Sequence, residues 1–392
     1  MTSRERLLNA LNGLPVDRTP VTLFIQEQGH FIVQINPDEH PEEFTKNNKF
    51  IADYMRKLGL DVHVRMLFFN PHEPNYFHQN LLNFHVETPD WQIKSTVTEK
   101  EDATYTLQEI TTPKGVLTQE FTVCELTPKT FVYACTKKPI NGMADLEIAM
   151  EYEPPIAPEQ AEKIKLNTQE LKDYIGDDGI VSAWSNGGLF NNVSGLIDHT
   201  QLYTLFLTDP DYYKALMTFA KKRVYAFTDV LIDAGMDAIC FGGNVAGGFL
   251  GGPMFETYIM PYEREYAAYI HSRGVATVYH NCGQIMNLVP AYQKMGVKNV
   301  EPFSPVPLGD GDLDKVAEVL NGEFSVTGGI DQVNVIQAGT VADVEKAVEE
   351  TLEKAKKIPN FILQSADFLS WETPLENVEA FARKALEIVN KQ

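Results

Sequence analysis

Apolar and polar positions follow a repeating order from about residue 160 onward. Short β-prone runs alternate with stretches in which apolar residues recur at helical spacing. The clearest helix begins at Asp209-Pro210, an N-cap residue followed by proline at the first helical position, and Gly235 ends it. The β-prone runs are 179–184, 237–242, 275–280, 297–301, 324–328 and 360–364. This order predicts repeated strand–helix units and therefore a parallel sheet.

Two apolar runs near the start of the chain, at 21–25 and 61–66, bring the predicted strands to eight. Eight parallel strands predict an α/β fold of the (β/α)8 TIM-barrel type, formed by one domain over 1–392. A doubly wound open sheet is the alternative, but no GxGxxG follows the first strand to support a dinucleotide fold. Helices are also predicted over 2–12 and from Thr373-Pro374-Leu375-Glu376, which reads as a capping box.

The stretch 61–135 has a different composition from the rest of the chain. Its segments WQIKSTVTEK, ATYTLQEITTP and GVLTQEFTVCEL are rich in Thr, Val and aromatic residues. Pro113-Lys114-Gly115 joins two of these segments as a hairpin turn would. We therefore predict a β-rich insertion in the N-terminal third of the barrel.

Composition narrows the classes of function. The chain has 392 residues, 44% of them apolar, and a net charge of −21, which argues against nucleic acids and polyanionic substrates. No run of apolar residues is long enough to span a membrane, and the charged, amphipathic N-terminus does not resemble a secretory signal. The four cysteines form no CxxC pair, which is typical of reduced thiols. These features predict a cytoplasmic protein.

Catalytic groups of a barrel lie at the C-terminal ends of its strands, and one pair of residues there is suited to metal binding. His280 and Cys282 are two residues apart just past a predicted strand, so an imidazole and a thiolate can both face the barrel mouth. Both are ligands that zinc accepts. The alternative is a hydrogen-bonded core histidine beside an inert buried thiol. No GxSxG is present, and no GK[ST] follows the glycines at 242–252, so neither a serine hydrolase nor a phosphate loop is indicated.

Two acidic residues also fall at predicted strand ends, Glu301 and Asp367. A carboxylate oxygen could complete a His/Cys/carboxylate set and leave the fourth position of the zinc open, as catalytic zinc requires. Either residue could instead be a solvated loop carboxylate or a helix cap. Glu301 is slightly favoured from its position, because it directly ends the strand after the one that carries His280.

Several segments resemble the uroporphyrinogen-decarboxylase-like superfamily. They are RERLLNALNGLPVDRTPV near the N-terminus, PYEREYAAYIHSRGVATVYHNCG at 261–283, GGID at 328–331 and TPLENVEAF at 373–381. The sequence His280-Asn281-Cys282-Gly283 and the β-rich stretch with its TPKG turn are similar to the corrinoid-dependent methyltransferase branch. The resemblance implies a barrel enzyme that binds zinc through His280 and Cys282 and acts with a corrinoid carried by a partner protein.

The chain departs from that superfamily at two places. Uroporphyrinogen decarboxylases carry an arginine-rich segment after the first strand, where this chain has Gln26-Glu27-Gln28-Gly29-His30. A substrate with many carboxylates is therefore not expected. The coenzyme M methyltransferases have a second cysteine shortly before the TPLEN motif, whereas this region reads QSADFLSWETPLEN. Asp367 is the nearest candidate by position for the third ligand, and Glu301 is the other.

The resemblance and the residues together predict a zinc-dependent methyltransferase. In this hypothesis the catalytic residues are His280, Cys282 and Glu301, and zinc acts as a Lewis acid on the oxygen of a methyl ether while the methyl group passes to the cobalt of a corrinoid protein. Three alternatives remain: methyl transfer from a corrinoid to a thiol such as coenzyme M, metal-free decarboxylation of a small acid, and a non-enzymatic corrinoid-binding role.

The substrate is expected to be a methoxylated aromatic compound. Five rings lie close to predicted strand ends and could form an apolar pocket, or simply pack loops onto the barrel: Trp184, Phe190, Phe303, Phe368 and Trp371. The residues predicted to bind the substrate are Gln26, Asn186, Asn244, Trp184 and Trp371.

Overall fold

The computed structural model shows an α/β architecture with two sheets. It describes residues 1–27, 30–36, 44–68, 81–101, 103–127, 130–185, 187–243, 245, 250–320, 322 and 324–392. The strands are β1 Val62–Met66, β2 Gln92–Glu99, β3 Thr104–Thr112, β4 Gly115–Thr127, β5 Thr130–Lys137, β6 Gly179–Trp184, β7 Ala238–Gly242, β8 Ala276–His280, β9 Asn299–Phe303, β10 Ser325–Ile330 and β11 Ile362–Ser365.

The helices surround the larger sheet. They are α1 Ser3–Leu11, α2 Ile32–Ile35, α3 Phe44–Lys57, α4 Met143–Tyr152, α5 Pro158–Ile175, α6 Gly188–Leu196, α7 His199–Thr208, α8 Pro210–Asp233, α9 Gly251–Met254, α10 Met260–Ser272, α11 Val289–Met295, α12 Leu313–Val319, α13 Val341–Ala355 and α14 Leu375–Val389. No helix in the described ranges combines the length and the apolar character that a membrane span requires.

The larger sheet has seven parallel strands in the order β1-β6-β7-β8-β9-β10-β11. The segment at Val21 connects its two edges. The N–H of Thr22 donates to the carbonyl of Leu363 on β11 at 3.0 Å, and the N–H of Asp61, just before β1, donates to the carbonyl of Val21 at 2.9 Å. The chain near Val21 thus occupies the place of an eighth strand, as in a TIM-like barrel.

Side-chain alternation along the strands separates an inner face from an outer face. On β8, Ala276 and Val278 pack in a buried cluster with Leu7 and Leu11 of α1, so that α1 covers one end of the barrel. Thr277 and Tyr279 point the other way, and Tyr279 packs against Phe241 of β7 and Tyr292 of α11. His280 continues the inner face of Ala276 and Val278 at the opposite end of the barrel from α1.

The smaller sheet is antiparallel, with order β2-β3-β4-β5. The predicted hairpin is present, because β3 and β4 pair directly across the turn at Pro113-Lys114. Ile110 and Leu117 bury one face of this sheet against the core, whereas β2 is largely exposed. The predicted limits 61–135 need correction: the five residues 62–66 are buried and pair with β6 in the parallel sheet, and the antiparallel sheet continues to Lys137.

The helix caps are only partly as predicted. The carboxylate of Asp209 accepts from the N–H of Tyr212 at the start of α8, as its sequence indicates. The capping box predicted at 373–376 does not form: α14 begins at Leu375 with Pro374 at its N-cap, and no side chain caps it. Thr373 is instead buried, and its hydroxyl lies 3.3 Å from that of Ser370.

Candidate metal centre

Three potential metal ligands converge at the barrel mouth. His280 is the last residue of β8, Cys282 lies two residues beyond it, and Asp367 lies two residues beyond the end of β11. One ligand atom from each side chain, a nitrogen, a sulfur and an oxygen, lies within 4.8 Å of the other two. His280 is buried, and the other two residues are half-buried. The cluster is therefore reachable from the mouth but held by the barrel.

The donor set fits zinc. Tetrahedral zinc, with bonds of roughly 2.0 to 2.3 Å, holds its ligand atoms roughly 3 to 4 Å apart. The three ligand atoms, each within 4.8 Å of the other two, are already close to that spacing. Three protein ligands would leave the fourth position for a substrate, the arrangement of catalytic zinc rather than structural zinc.

Glu301 does not belong to this group of three. It pairs with His280 across β8 and β9, and its Oε1 lies 3.7 Å from Nδ1 of His280. Its other oxygen, Oε2, accepts a hydrogen bond from the guanidinium of Arg65. Burial alone would raise the pKa of Glu301, but the charge of Arg65 and the neighbouring His280 and His63 together outweigh burial and lower the pKa well below its usual range. Glu301 is thus an ionised, buried partner of Arg65.

Arg65 is the centre of a polar layer beneath the three ligands. Its Nη2 donates to Oε1 of Gln364 at 2.9 Å and lies 3.1 Å from Nδ1 of His63, and its guanidinium stacks on Phe24 at 4.3 Å. Nε2 of His63 in turn lies 2.8 Å from the hydroxyl of Ser182. Sequence reasoning missed this layer. The signal was the pattern of β1, VHVRM, which places two polar residues on one face of an otherwise apolar strand.

The electrostatics of the cluster favour a cation. Burial opposes a charge on His280, but the neighbouring Cys282 and Glu301 outweigh it and raise the pKa of His280 to about 10. Burial raises the pKa of Asp367, although the N–H of Phe368 donates to its Oδ1 at 2.8 Å. The acidic neighbours of His280 thus favour positive charge at this place, which is the environment that a metal ion needs.

Close approach of neighbouring strands shapes this part of the mouth. Gly242, the last residue of β7, has φ of +97°, and a Cβ there would lie 2.7 Å from the carbonyl oxygen of His280. Only glycine fits this approach without moving the strand that carries His280. The glycine-containing segment 242–252 thus lies against the strand of His280 at its first residue, whereas residues 244 and 246–249 lie outside the described residues.

Three of the five rings predicted to line an aromatic pocket are half-buried. Trp184 meets His280 edge to face, with ring centroids 4.8 Å apart, and Phe368 lies 6.3 Å from Phe24. These two rings and Trp371 are half-buried. Phe190 and Phe303 are almost fully buried in the core, where they pack the layers of the barrel together.

The polar residues predicted to bind substrate are only partly described. Gln26 is half-buried and follows the segment that joins the sheet edges near Val21. Asn186 and Asn244 lie outside the described residues. The neighbour of Gln26, Glu27, is fully buried and accepts from the N–H groups of Leu67 and Phe68 at 3.0 and 2.8 Å. It supports the chain after β1 rather than facing a substrate.

Comparison with known proteins supports the resemblance that the motifs indicate. The chain is 26% identical over 149 residues to the methylcobamide:CoM methyltransferase MtbA of Methanosarcina mazei and 25% identical over 147 residues to MtbA of Methanosarcina acetivorans. Each alignment covers 37% of this chain and 42% of the relative, so the chain matches less than half the length of these relatives.

A solved structure and a family model extend the comparison to most of the chain. The structure of a methyltransferase from Methanosarcina mazei superposes with a TM-score of 0.67 over 99% of both chains, at 18% identity, which establishes the shared fold. The model of the uroporphyrinogen decarboxylase (URO-D) family matches residues 124–387, which include His280, Cys282, Glu301 and Asp367. The chain belongs to the uroporphyrinogen decarboxylase (URO-D) family.

Proposed function

We propose that this protein is a corrinoid-dependent methyltransferase with a zinc centre formed by His280, Cys282 and Asp367. The observation that carries the proposal is the convergence of a nitrogen, a sulfur and an oxygen ligand within 4.8 Å at the barrel mouth. The similarity to methylcobamide:CoM methyltransferases supports the same class of reaction. Asp367 replaces Glu301 as our third ligand, because Glu301 is held by Arg65.

The charge of the ligand set bears on the kind of substrate. One thiolate, one carboxylate and one neutral imidazole balance the two positive charges of zinc, so the bound metal would supply Lewis-acid polarisation to a substrate oxygen. Cys282 and Asp367 would hold this centre at the mouth, and Trp184 would pack against the ring of His280 and fix its orientation. This combination favours a methyl ether as the methyl donor.

The half-buried aromatic rings favour an aromatic donor. Trp184 lies against His280, and Phe368 follows Asp367 directly in the chain, so both rings border the ligand cluster. Flat apolar rings at this place would pack against a methoxylated arene and exclude water from the methyl group. The acceptor would be the reduced cobalt of a corrinoid protein, which must approach the methyl group from the side opposite the leaving oxygen.

A second candidate is methyl transfer from a methylated corrinoid to a thiol. The names of the two relatives favour it, since both are methylcobamide:CoM methyltransferases. In that reaction the same centre would bind the thiol as a thiolate and raise its reactivity at neutral pH. The two candidates share the site and the corrinoid partner and differ in the small molecule and the direction.

The absorbance of the corrinoid distinguishes the two reactions. Protein loaded with zinc is mixed with a Co(I) corrinoid protein and a panel of aryl methyl ethers, methanol and methylamines, and in parallel methyl-Co(III) corrinoid is mixed with thiols. We expect methyl-Co(III) to form with an aryl methyl ether and His280→Ala to abolish it. Consumption of methyl-Co(III) by a thiol alone would establish the second candidate. Full activity of metal-free His280→Ala protein would reject the zinc centre.

A further inference from the structure

The pairing of β8 with β9 places Glu301 beside the imidazole of His280. Glu301 Oε1 and His280 Nδ1 are 3.7 Å apart, and neither atom has a hydrogen-bond partner among the described residues. Both are buried, where an unpaired polar atom costs free energy. A shift of less than about 1 Å would bring this pair to ordinary hydrogen-bond distance.

Arg65 determines which way the carboxylate of Glu301 can turn. One oxygen accepts from Nη2 of Arg65, and the side chains of both residues are almost fully buried, with exposures of 1% and 4%. Turning this carboxylate toward a metal would leave the buried guanidinium of Arg65 without its ion-pair partner, which is strongly unfavourable. Contacts with His63, Gln364 and Phe24 hold Arg65 itself in place.

We propose that Glu301 and Arg65 form a positioning pair for His280. Arg65 holds the Glu301 carboxylate in place, and Glu301 accepts a hydrogen bond from the N–H at Nδ1 of His280. The proton is then held on Nδ1, so the lone pair of Nε2 is free to bind the metal. This inference rests on the proposed zinc centre. Glu301 orients the ligand His280 and does not bind the metal itself.

The arrangement has a measurable consequence for metal binding. A carboxylate that accepts from the far nitrogen of a histidine ligand fixes its tautomer and raises its basicity, and loss of such a partner commonly weakens metal affinity 10- to 100-fold. Glu301→Gln removes the charge while keeping the shape. We therefore expect weaker zinc binding by about 10- to 100-fold, with the three ligands still in place.

The experiment measures zinc affinity by competition with a chromophoric chelator and the absorption spectrum of Co²⁺-substituted protein. Glu301→Gln and Arg65→Lys should both weaken zinc binding and shift the Co²⁺ bands, while keeping the thiolate charge-transfer band of Cys282. The matched control is Glu153→Gln. Glu153 pairs with Arg223 in an equally buried ion pair, with exposures of 4% and 2%, so this variant should lose stability without changing zinc affinity.

Nitrogen NMR of the zinc-loaded wild-type protein provides a second readout, the tautomer of His280. With ¹⁵N-labelled histidine in the zinc-loaded protein, and His280→Gln to assign the signals, the Nδ1 of His280 should carry a proton and its Nε2 should bind zinc. Zinc bound at Nδ1, with the proton on Nε2, would overturn the inference. The inference would also be overturned if Glu301→Gln had the zinc affinity and Co²⁺ spectrum of wild type while Asp367→Asn bound zinc weakly. That result would still support the proposed zinc centre.

Two other outcomes separate the inference from the proposed function. Loss of zinc from Glu301→Gln together with normal binding by Asp367→Asn would make Glu301 a direct ligand, which overturns the positioning role alone. Failure of wild-type protein to bind zinc would overturn both proposals.

Discussion

Asp367 is the residue on which the character of the proposed zinc centre depends most. Its oxygen completes the group formed by His280 and Cys282. Compared with a second thiolate, a carboxylate is harder and gives less charge to the metal. A centre with one thiolate should therefore polarise an ether oxygen more strongly and activate a thiol less.

Replacing Asp367 should separate ligand loss from ligand exchange. We expect Asp367→Asn to weaken zinc binding by about 100-fold, since an amide oxygen is a poor ligand. Asp367→Cys should keep zinc and lower the rate with an aryl methyl ether relative to the rate with a thiol, measured by corrinoid absorbance.

The matched control for the Asp367 variants is Asp331→Asn. Asp331 also follows a barrel strand, but its carboxylate caps the turn after β10 by accepting from the N–H groups of Val333 and Asn334. This variant should keep wild-type zinc affinity. If Asp367→Asn binds zinc as tightly as Asp331→Asn, Asp367 is not a ligand.

Among the elements, α6 leads directly from the mouth and depends on one buried carboxylate. The N–H groups of Leu189 and Phe190 in its first turn donate to Oε1 of Glu263 at 3.1 and 3.2 Å. Glu263 comes from α10, so this contact joins two helices behind the strands that carry Trp184 and His280. Burial raises the pKa of Glu263 to about 7.

The raised pKa predicts a pH dependence of stability. In the unfolded chain Glu263 titrates near 4.5, so between this pH and about 7 the folded state binds more protons. The neutral form of Glu263 therefore contributes to the free energy of unfolding below about pH 4.5, and this contribution is lost as the pH rises through about 7. The loss is on the order of 3 kcal/mol.

Urea unfolding at pH 5 and pH 8 tests this pH dependence. Glu263→Gln should remove the contribution of Glu263 to this loss. The free energy of unfolding of the variant, compared with that of wild type, should therefore be higher at pH 8 than at pH 5. Glu265→Gln, on the same helix and exposed, should follow the wild-type curve. Parallel behaviour of Glu263→Gln and wild type would show that Glu263 does not titrate in this range.

The helix α1 affects stability at the end of the barrel away from the site. Leu7, which is fully buried, packs with Ala276 and Val278 on the inner face of β8. We expect Leu7→Ala to cost about 2 to 5 kcal/mol in the free energy of unfolding, through lost apolar burial and a cavity. Leu14→Ala, at a side chain that is 50% exposed, should change the free energy of unfolding little. Urea denaturation measures both, and equal effects would contradict the covering role of α1.

For the whole molecule, the barrel does not depend on metal for its core. The two buried clusters are formed by apolar side chains from strands and helices, and none of the three proposed ligands belongs to them. Metal-free protein should therefore stay folded, which distinguishes this chain from small domains that unfold without zinc.

Zinc should nevertheless raise the thermal stability of the folded chain. If zinc binds only the folded state, a free zinc concentration 100 times the dissociation constant raises the free energy of unfolding by about 2.7 kcal/mol. Differential scanning calorimetry should show a higher Tm with zinc, reversed by a chelator, whereas Cys282→Ala should show the same Tm in both conditions. An equal rise of Tm in Cys282→Ala would place the bound zinc elsewhere.

Local pattern determined the elements and two of the three proposed ligands. The runs 179–184, 237–242 and 275–280 correspond to β6, β7 and β8 within a residue or so, because a buried parallel strand requires a short run of apolar residues between helices. His280 and Cys282 are separated by one residue, so the end of a single strand brings them together. These are short-range properties, and a sequence expresses them directly.

Only the tertiary structure decided which carboxylate joins His280 and Cys282. Glu301 and Asp367 both stand at strand ends, and no local pattern separates them. The pairing of β8 with β9 directs Glu301 toward Arg65, a residue of β1 that is 236 positions away in the chain. The same long-range packing buries Phe190 and Phe303 and leaves Trp184 beside the ligands. The register of paired strands and the closure of the barrel depend on contacts between residues that are far apart in the sequence. These contacts determine which partner each buried polar group can reach.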